Sequence, residues 1–313
     1  MNVIGTMRSN SSMLRFRLRR KLNKDSRRAD RVVRKELLRR LPSQSNVSGE
    51  IWAIAMVKNE ADIIESSVRH CFDQGVDAML IADNGSTDGT RELVYQLSKS
   101  LPIILVDDPI FAYEQDVKMT ALANGARRFG AKWVVPFDAD EFWFAEDTSL
   151  GDRLRSERNA VVVYGDLFNA FPISRESVNA KSELAMSNTV AVKKVAFRTH
   201  RFASLCMGSN EVYRGVPRAH GIYVLHLPWR STSQMSRKLN QGKAAILNSR
   251  NKDWAGGHWV CYGDSGPREI EKIWESLINW QKVDGLDWNP TGIRHQISGI
   301  QNPYEVTKKA LPK

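Results

Sequence analysis

The sequence predicts an α/β fold with a mainly parallel sheet covered by helices on both faces. Three features of its 313 residues predict this. Apolar runs of strand length recur without polar alternation, as strands buried on both faces require. Helical stretches separate them at βαβ spacing. Polar residues gather just after the runs, where ligands bind in sheets of this kind.

The elements follow in order. Leu14, Leu18 and Leu22, then Val32, Val33, Leu37, Leu38 and Leu41, mark an apolar stripe on a helical arm with an Arg-rich face. Pro42 stops the arm, and Ser43 to Gly49 is a polar linker. This predicts an arm and linker over residues 1–48 and a body over residues 49–313. In the body, Ile51–Val57 is a strand and Glu60–Phe72 a helix. Met79–Ala82, Ile103–Val106 and Trp133–Phe137 are further strands, with helices over Arg91–Leu97 and Val117–Phe129 between them. Later come strands over Ala160–Tyr164, Val190–Phe197 and Tyr223–Leu227, then helices over Gln234–Leu247 and Glu269–Gln281.

Charge is distributed unevenly. Residues 1–49 hold 14 Lys/Arg against three acids, a net of +11, which equals the net charge of the whole chain. The body is therefore electrically balanced, and nucleic acid is not the favoured partner despite the basic total. The arm suits a solvated extension, an anionic membrane surface or a nucleic-acid patch, and its composition leaves these open. Arg8, Arg15 and Arg17 interrupt any apolar core of a secretory signal, and no apolar run reaches spanning length. Three widely spaced cysteines do not form a disulfide framework. These features predict a cytoplasmic protein, with attachment to the inner membrane face through residues 1–41 as an option.

The chemistry should lie at the strand ends. Lys58-Asn59-Glu60 follows the first strand, Asp83-Asn84-Gly85-Ser86-Thr87-Asp88-Gly89-Thr90 the second, and Asp138-Ala139-Asp140-Glu141 the fourth. A lone D-x-D is usually a turn with solvated acids. Here it ends an apolar strand, and an extended backbone would send both carboxylates to one face. Two carboxylates completed by substrate phosphates make a site for a hard divalent ion, Mg²⁺ or Mn²⁺.

These motifs resemble the family-2-type glycosyltransferases of GT-A fold, most densely over residues 51–145. They match a bacterial branch with an N-E-A-D-I-I opening and a D-A-D-E-F strand end. Leu225-His226-Leu227-Pro228-Trp229-Arg230-Ser231, with Gln234 and Lys238, resembles that branch's H-Y-x-x-R-S…Q…K stretch, Leu227 replacing an aromatic. The resemblance implies a Rossmann-like, mixed but mainly parallel GT-A sheet. It places the nucleotide sugar over about 51–145 and the acceptor over about 146–313. It implies that Met56, Lys58, Asn59, Glu60 and Asn84 line the nucleotide site and that Asp83 bonds the base edge. Asp138 and Asp140 would hold ribose and metal, with His226 a further metal contact or a structural histidine. Arg230 and Lys238 would neutralise the departing diphosphate, or serve as solvated helix charges.

The implied reaction is metal-dependent transfer of a sugar, with a UDP-sugar favoured, to a glycan or lipid-linked hydroxyl, with inversion. Glu211 and Asp166 are the leading candidates for the base that deprotonates the acceptor, and Glu183 is a third. Glu211 lies where the branch often has a G-N-H-like stretch. Trp143, Trp229 and Trp259 are candidate sugar platforms, although such residues are more often core. Two alternatives remain: another nucleotide-binding transferase, which would normally carry a glycine-rich phosphate loop not found here, and a non-catalytic nucleic-acid or membrane binder.

Overall fold

A computed structural model describes residues 24–45, 47–249 and 257–309. The expected stripe at Leu14, Leu18 and Leu22 lies outside these residues.

Helix α1 (Lys24–Leu38) precedes the body. It does not stand off as an independent arm. Leu37 is fully buried, Val33 and Leu41 are nearly so, and Leu37 and Leu41 join Trp52, Ile54 and Leu80 in one core cluster. Leu41 packs close over Gly125, where a Cβ would meet Leu41 Cδ1 at 2.6 Å and Leu80 Cδ2 at 3.1 Å and make those side chains shift. The apolar stripe from Val33 to Leu41 is thus used up in packing.

The βαβ rhythm then appears as expected. Strand β1 (Ile51–Val57), α2 (Ile64–Asp73), β2 (Ala78–Asp83), α3 (Thr90–Leu97), β3 (Ile103–Asp107), α4 (Gln115–Arg128) and β4 (Trp133–Pro136) follow one another. Strand β1 lies between β4 and β2, with β3 beyond β2, and all three pairings are parallel. Every residue of β2 and β4 is buried, which explains their unbroken apolar runs. Helix α2 starts four residues later than expected, because residues 60–63 form a turn closed by Ile63 and Ile64 N–H groups on the Glu60 carbonyl.

The second half adds β5 (Glu141–Ala145), α5 (Leu150–Ser156), β6 (Val162–Pro172), β7 (Glu183–Ser187), β8 (Val192–Arg198) and β9 (Arg218–His226). Helices α6 (Thr232–Leu247), α7 (Gly257–Tyr262) and α8 (Pro267–Ile278), strand β10 (Arg294–Ser298) and α9 (Pro303–Lys309) complete it. Strand β8 runs antiparallel beside β4 and β6, making the sheet mixed, in the order β10-β7-β6-β8-β4-β1-β2-β3. Strand β9 branches from β6 in parallel and carries β5 antiparallel, in register Glu141 to His226. That pairing brings the fourth-strand motif against the histidine motif. Among the described residues no helix is long and apolar enough to cross a membrane.

Candidate functional site

At the carboxyl edge of the parallel strands lies a cavity of about 940 Å³, within the size range of ligand sites. Two turn segments form its first wall. Asn59, at φ 55°, turns the chain after β1, and its Oδ1 accepts from Thr87 N–H at 2.7 Å. Ser86 Oγ accepts from Asn59 N–H and Thr90 Oγ1 from Glu60 N–H. Asp88 accepts from Ala61 N–H and from Thr90 N–H. Much of the polar run after β2 therefore builds the loop, leaving Met56, Lys58, Asn59, Glu60 and Asn84 on the cavity wall.

Asp83 is not on that wall. Its Oδ2 accepts from Gly85 and Ser86 N–H groups at 3.0 Å, while its buried Oδ1 has no hydrogen-bond partner among the described residues. Beside it, Asn84 donates to Asp108 Oδ2 at 2.9 Å and to the Ile110 carbonyl at 2.7 Å. Asp108 pairs with Lys118 at 2.6 Å, both fully buried. Burial pulls the Lys118 pKa down, and Asp108 opposes this.

Asp138 and Asp140 do line the cavity, but not from an extended backbone. Ala139 and Asp140 form a turn between β4 and β5, closed by Glu141 N–H on the Asp138 carbonyl at 3.0 Å. The turn arises because the chain must reverse at once to pair β5 with β9. Lys194, from β8, reaches Asp138 Oδ2 at 3.0 Å, Glu141 Oε1 at 2.6 Å and the Gly208 carbonyl at 2.8 Å. Burial raises the Glu141 pKa while Lys194 works against it. Gln115 donates to Asp138 Oδ1 at 3.3 Å.

Asp140 is the most heavily compensated acid. Its Oδ2 contacts the Lys238 ammonium, lies 3.4 Å from His226 Nε2 and 3.6 Å from Arg230 Nη1. Burial raises its pKa, but Lys238, His226 and Arg230 together hold it well below the usual carboxylate range. His226 shares a hydrogen bond of 2.8 Å between Nδ1 and Asn169 Oδ1, and burial lowers its pKa. A neutral imidazole donating from Nδ1 turns the Nε2 lone pair toward Asp140. Such a pairing suits a shared cation. Among the described residues, however, no group of three or more His, Cys, Asp or Glu could by itself hold a metal ion.

Arg230 sits behind the cavity rather than on its wall. Its guanidinium binds Glu60 and reaches Asp62 Oδ2 at 2.6 Å, joining the first turn to the start of α6. Lys238, one helix face further on, does line the cavity. The expected catalytic acids are elsewhere. Glu211 accepts from Tyr164 Oη at 2.8 Å and from Arg218 at 2.8 and 3.0 Å, and Asp166 lies in β6 opposite Lys193 and Tyr223. Neither lines the cavity, and nor does Glu183. Of the tryptophans, Trp259 lines it, whereas Trp143 and Trp229 are fully buried with their indole N–H groups bonded to Glu141 and to the Trp288 carbonyl.

Sequence inspection missed several residues on this wall: Lys118, Asn169, His258, Asp287 and Trp288. Lys194 is a buried charge within strand β8, whose other inward residues are apolar.

The fold and the charged cavity at its strand ends define a glycosyltransferase of GT-A fold. Residues 52–204 match the model of glycosyl transferase family 2. Solved structures similar to it include S. aureus TarS residues 1–349 in complex with UDP, 11% identical over 74% of this chain and 71% of that one, with a TM-score of 0.39. The same protein in complex with UDP-GlcNAc is 11% identical over 74% and 72%, at 0.38. HddC from Yersinia pseudotuberculosis is 9% identical over 56% and 76%, at 0.29. No curated protein matches.

Proposed function

We propose that the chain transfers a sugar from a nucleoside-diphosphate donor, with a UDP-sugar favoured, to a hydroxyl of a glycan or lipid-linked acceptor, inverting the anomeric centre. The observation that carries this is the cavity itself, with Asp138, Asp140, His226 and Lys238 converging on its wall at the carboxyl edge of the parallel strands. Residues 51–145 supply the nucleotide side and residues 146–313 the acceptor side. Asp83 lies behind the cavity wall, so its bond to the base edge requires the turn it holds through Gly85 and Ser86 to open toward the donor; its Oδ1, without a partner among the described residues, is the atom left for that bond. The neutral His226 and the Asp140 carboxylate fit a divalent ion, Mn²⁺ or Mg²⁺, with Asp138 adjacent and the diphosphate completing the shell. Such an ion supplies Lewis-acid stabilisation of the leaving diphosphate. Lys238 adds a fixed positive charge at the same point, and Arg230 holds Glu60 in place from behind.

Calorimetry of uridine diphosphate with and without Mn²⁺, followed by a panel of sugar nucleotides, tests this. The expected result is metal-enhanced binding that Asp140→Asn removes without unfolding the protein. Equal binding and turnover in that variant would refute the metal site. Attraction of the basic N-terminal residues to an anionic membrane is also proposed. It predicts sedimentation with anionic vesicles at low salt and release at high salt, where the screening length falls to about 3 Å at 1 M. Binding to mixed-sequence DNA in preference to vesicles would overturn it.

A further inference from the structure

With Glu211 and Asp166 away from the cavity, the group that deprotonates the acceptor has to be sought among the acids on the cavity wall. Five of the described residues there are acidic: Glu60, Asp138, Asp140, Glu141 and Asp287. Four are held by lysine or arginine. Glu60 is bound by Arg230, Asp138 and Glu141 by Lys194, and Asp140 by Lys238. A lysine or arginine in contact offsets the negative charge that would draw a proton, although burial still raises the pKa of the enclosed Glu60 and Glu141. Asp287 differs. Among the described residues its close ion-pair partner is an imidazole rather than a lysine or arginine, His258 Nδ1 lying 2.6 Å from Oδ2, and its side chain is 53% exposed.

The segment carrying Asp287 is fixed on both sides. Leu286 is buried in the cluster formed with Trp229, Met235 and Trp274. Asn289 Oδ1 accepts from Val283 N–H at 2.6 Å, and its Nδ2 donates back to the Val283 carbonyl at 3.0 Å, closing the loop. The Trp288 carbonyl accepts from Trp229 Nε1 at 3.0 Å, and the Trp288 ring packs edge-on to His226, centroids 4.8 Å apart. Asp287 is therefore held one residue from the side chain that touches the Asp140–His226 pair. Its carboxylate lines the same cavity as Asp140, His226 and Lys238.

We propose that Asp287 is the general base of the transfer, an assignment that rests on the glycosyl-transfer reading above. The carboxylate takes the proton of the acceptor hydroxyl as the hydroxyl oxygen bonds to the anomeric carbon. The bond from that carbon to the diphosphate oxygen breaks, and its electron pair leaves on the diphosphate, beside Lys238. With water as acceptor the products are free sugar and nucleoside diphosphate, so the step can be measured without the natural acceptor.

The test uses the full chain with Mn²⁺, UDP-glucose and UDP-N-acetylglucosamine as donors, and calorimetry of UDP. Asp287→Asn, nearly isosteric, is expected to lower kcat for donor hydrolysis by about 100-fold or more, as loss of a general base does. Its affinity for UDP and its melting temperature should stay at the wild-type values. Asp287→Glu, which keeps a carboxylate on a longer stem, should retain more turnover than the asparagine variant. Hydrolysis by Asp287→Asn within threefold of wild type, with UDP bound equally, overturns the base assignment and leaves the donor reading intact. A wild-type chain that binds neither UDP nor these donors overturns the donor reading instead, and the base with it.

Discussion

Lys194 offers the sharpest test of how the cavity floor is held together. Its ammonium is almost fully buried and is shared between Asp138 and Glu141, the latter 1% exposed at its side chain. Replacing it by Met keeps the stem but removes the charge. Asp138 is about one-third exposed and can recruit water, so most of the cost falls on Glu141. Breaking a buried pair from one side costs about 3–5 kcal/mol. That is a large part of the roughly 5–15 kcal/mol that keeps a domain folded. Urea unfolding of Lys194→Met near neutral pH should show a loss of this order at unchanged m-value. The double variant Lys194→Met with Glu141→Gln should recover much of it, because the stranded carboxylate is gone and Trp143 Nε1 keeps an acceptor. A single variant within about 1 kcal/mol of wild type, far below the range for a broken buried pair, would refute the reasoning. So would a double variant no more stable than the single one.

Three further outcomes are expected. Asp83→Ala should, on the proposed placement of the base at its turn, raise the donor KM more than it lowers kcat, since a base edge is remote from the reacting carbon; steady-state kinetics over a donor series would show it. His70 donates from Nε2 to the Trp143 carbonyl at 2.8 Å, and burial lowers its pKa below the ordinary 6.5. The unfolded chain therefore takes up a proton that the folded one resists, and stability should fall as pH drops below about 6.5; His70→Gln should flatten that limb in urea titrations across pH 7 to 5. Leu37→Ala empties a fully buried position under α1 and should cost about 2–5 kcal/mol in urea unfolding.

The parallel strands β1 to β4 were legible because they are covered on both faces, so their apolar runs carry a direct signal. The second half was not. Strands β5, β7 and β10 are short, and nothing in their composition reveals that β9 pairs with both β5 and β6. That branching sets the site, since it aligns Glu141 with His226. Asp138, Asp140, Lys238 and His226 were visible as motif residues at element ends. Asp287 was not, because Gly285-Leu286-Asp287 has the composition of an ordinary turn and only the three-dimensional closure by Asn289 brings it to the cavity. Arg230 shows the reverse case: the motif pointed to a ligand contact, whereas its buried guanidinium joins two loops. Glu211 likewise looked free in sequence, where the return of Arg218 and Tyr164 to it could not be seen.

The docking of α1 bears on how the enzyme can be localised. Leu41 presses through the gap at Gly125 toward Leu80, in the strand whose far end carries Asp83 and Asn84. The helix and the strand that leads to the cavity edge thus share one packed cluster. An anionic surface that gripped only the residues ahead of Lys24 would hold the molecule and leave its working edge undisturbed. One strong enough to peel α1 from its seat would bare Trp52, Ile54 and Leu80 to water and loosen the strand that leads into the Asp83–Thr90 turn. Were such a tether in use, it and activity would set limits on each other, and the strength of attachment would have an upper bound fixed by the packing of a single helix.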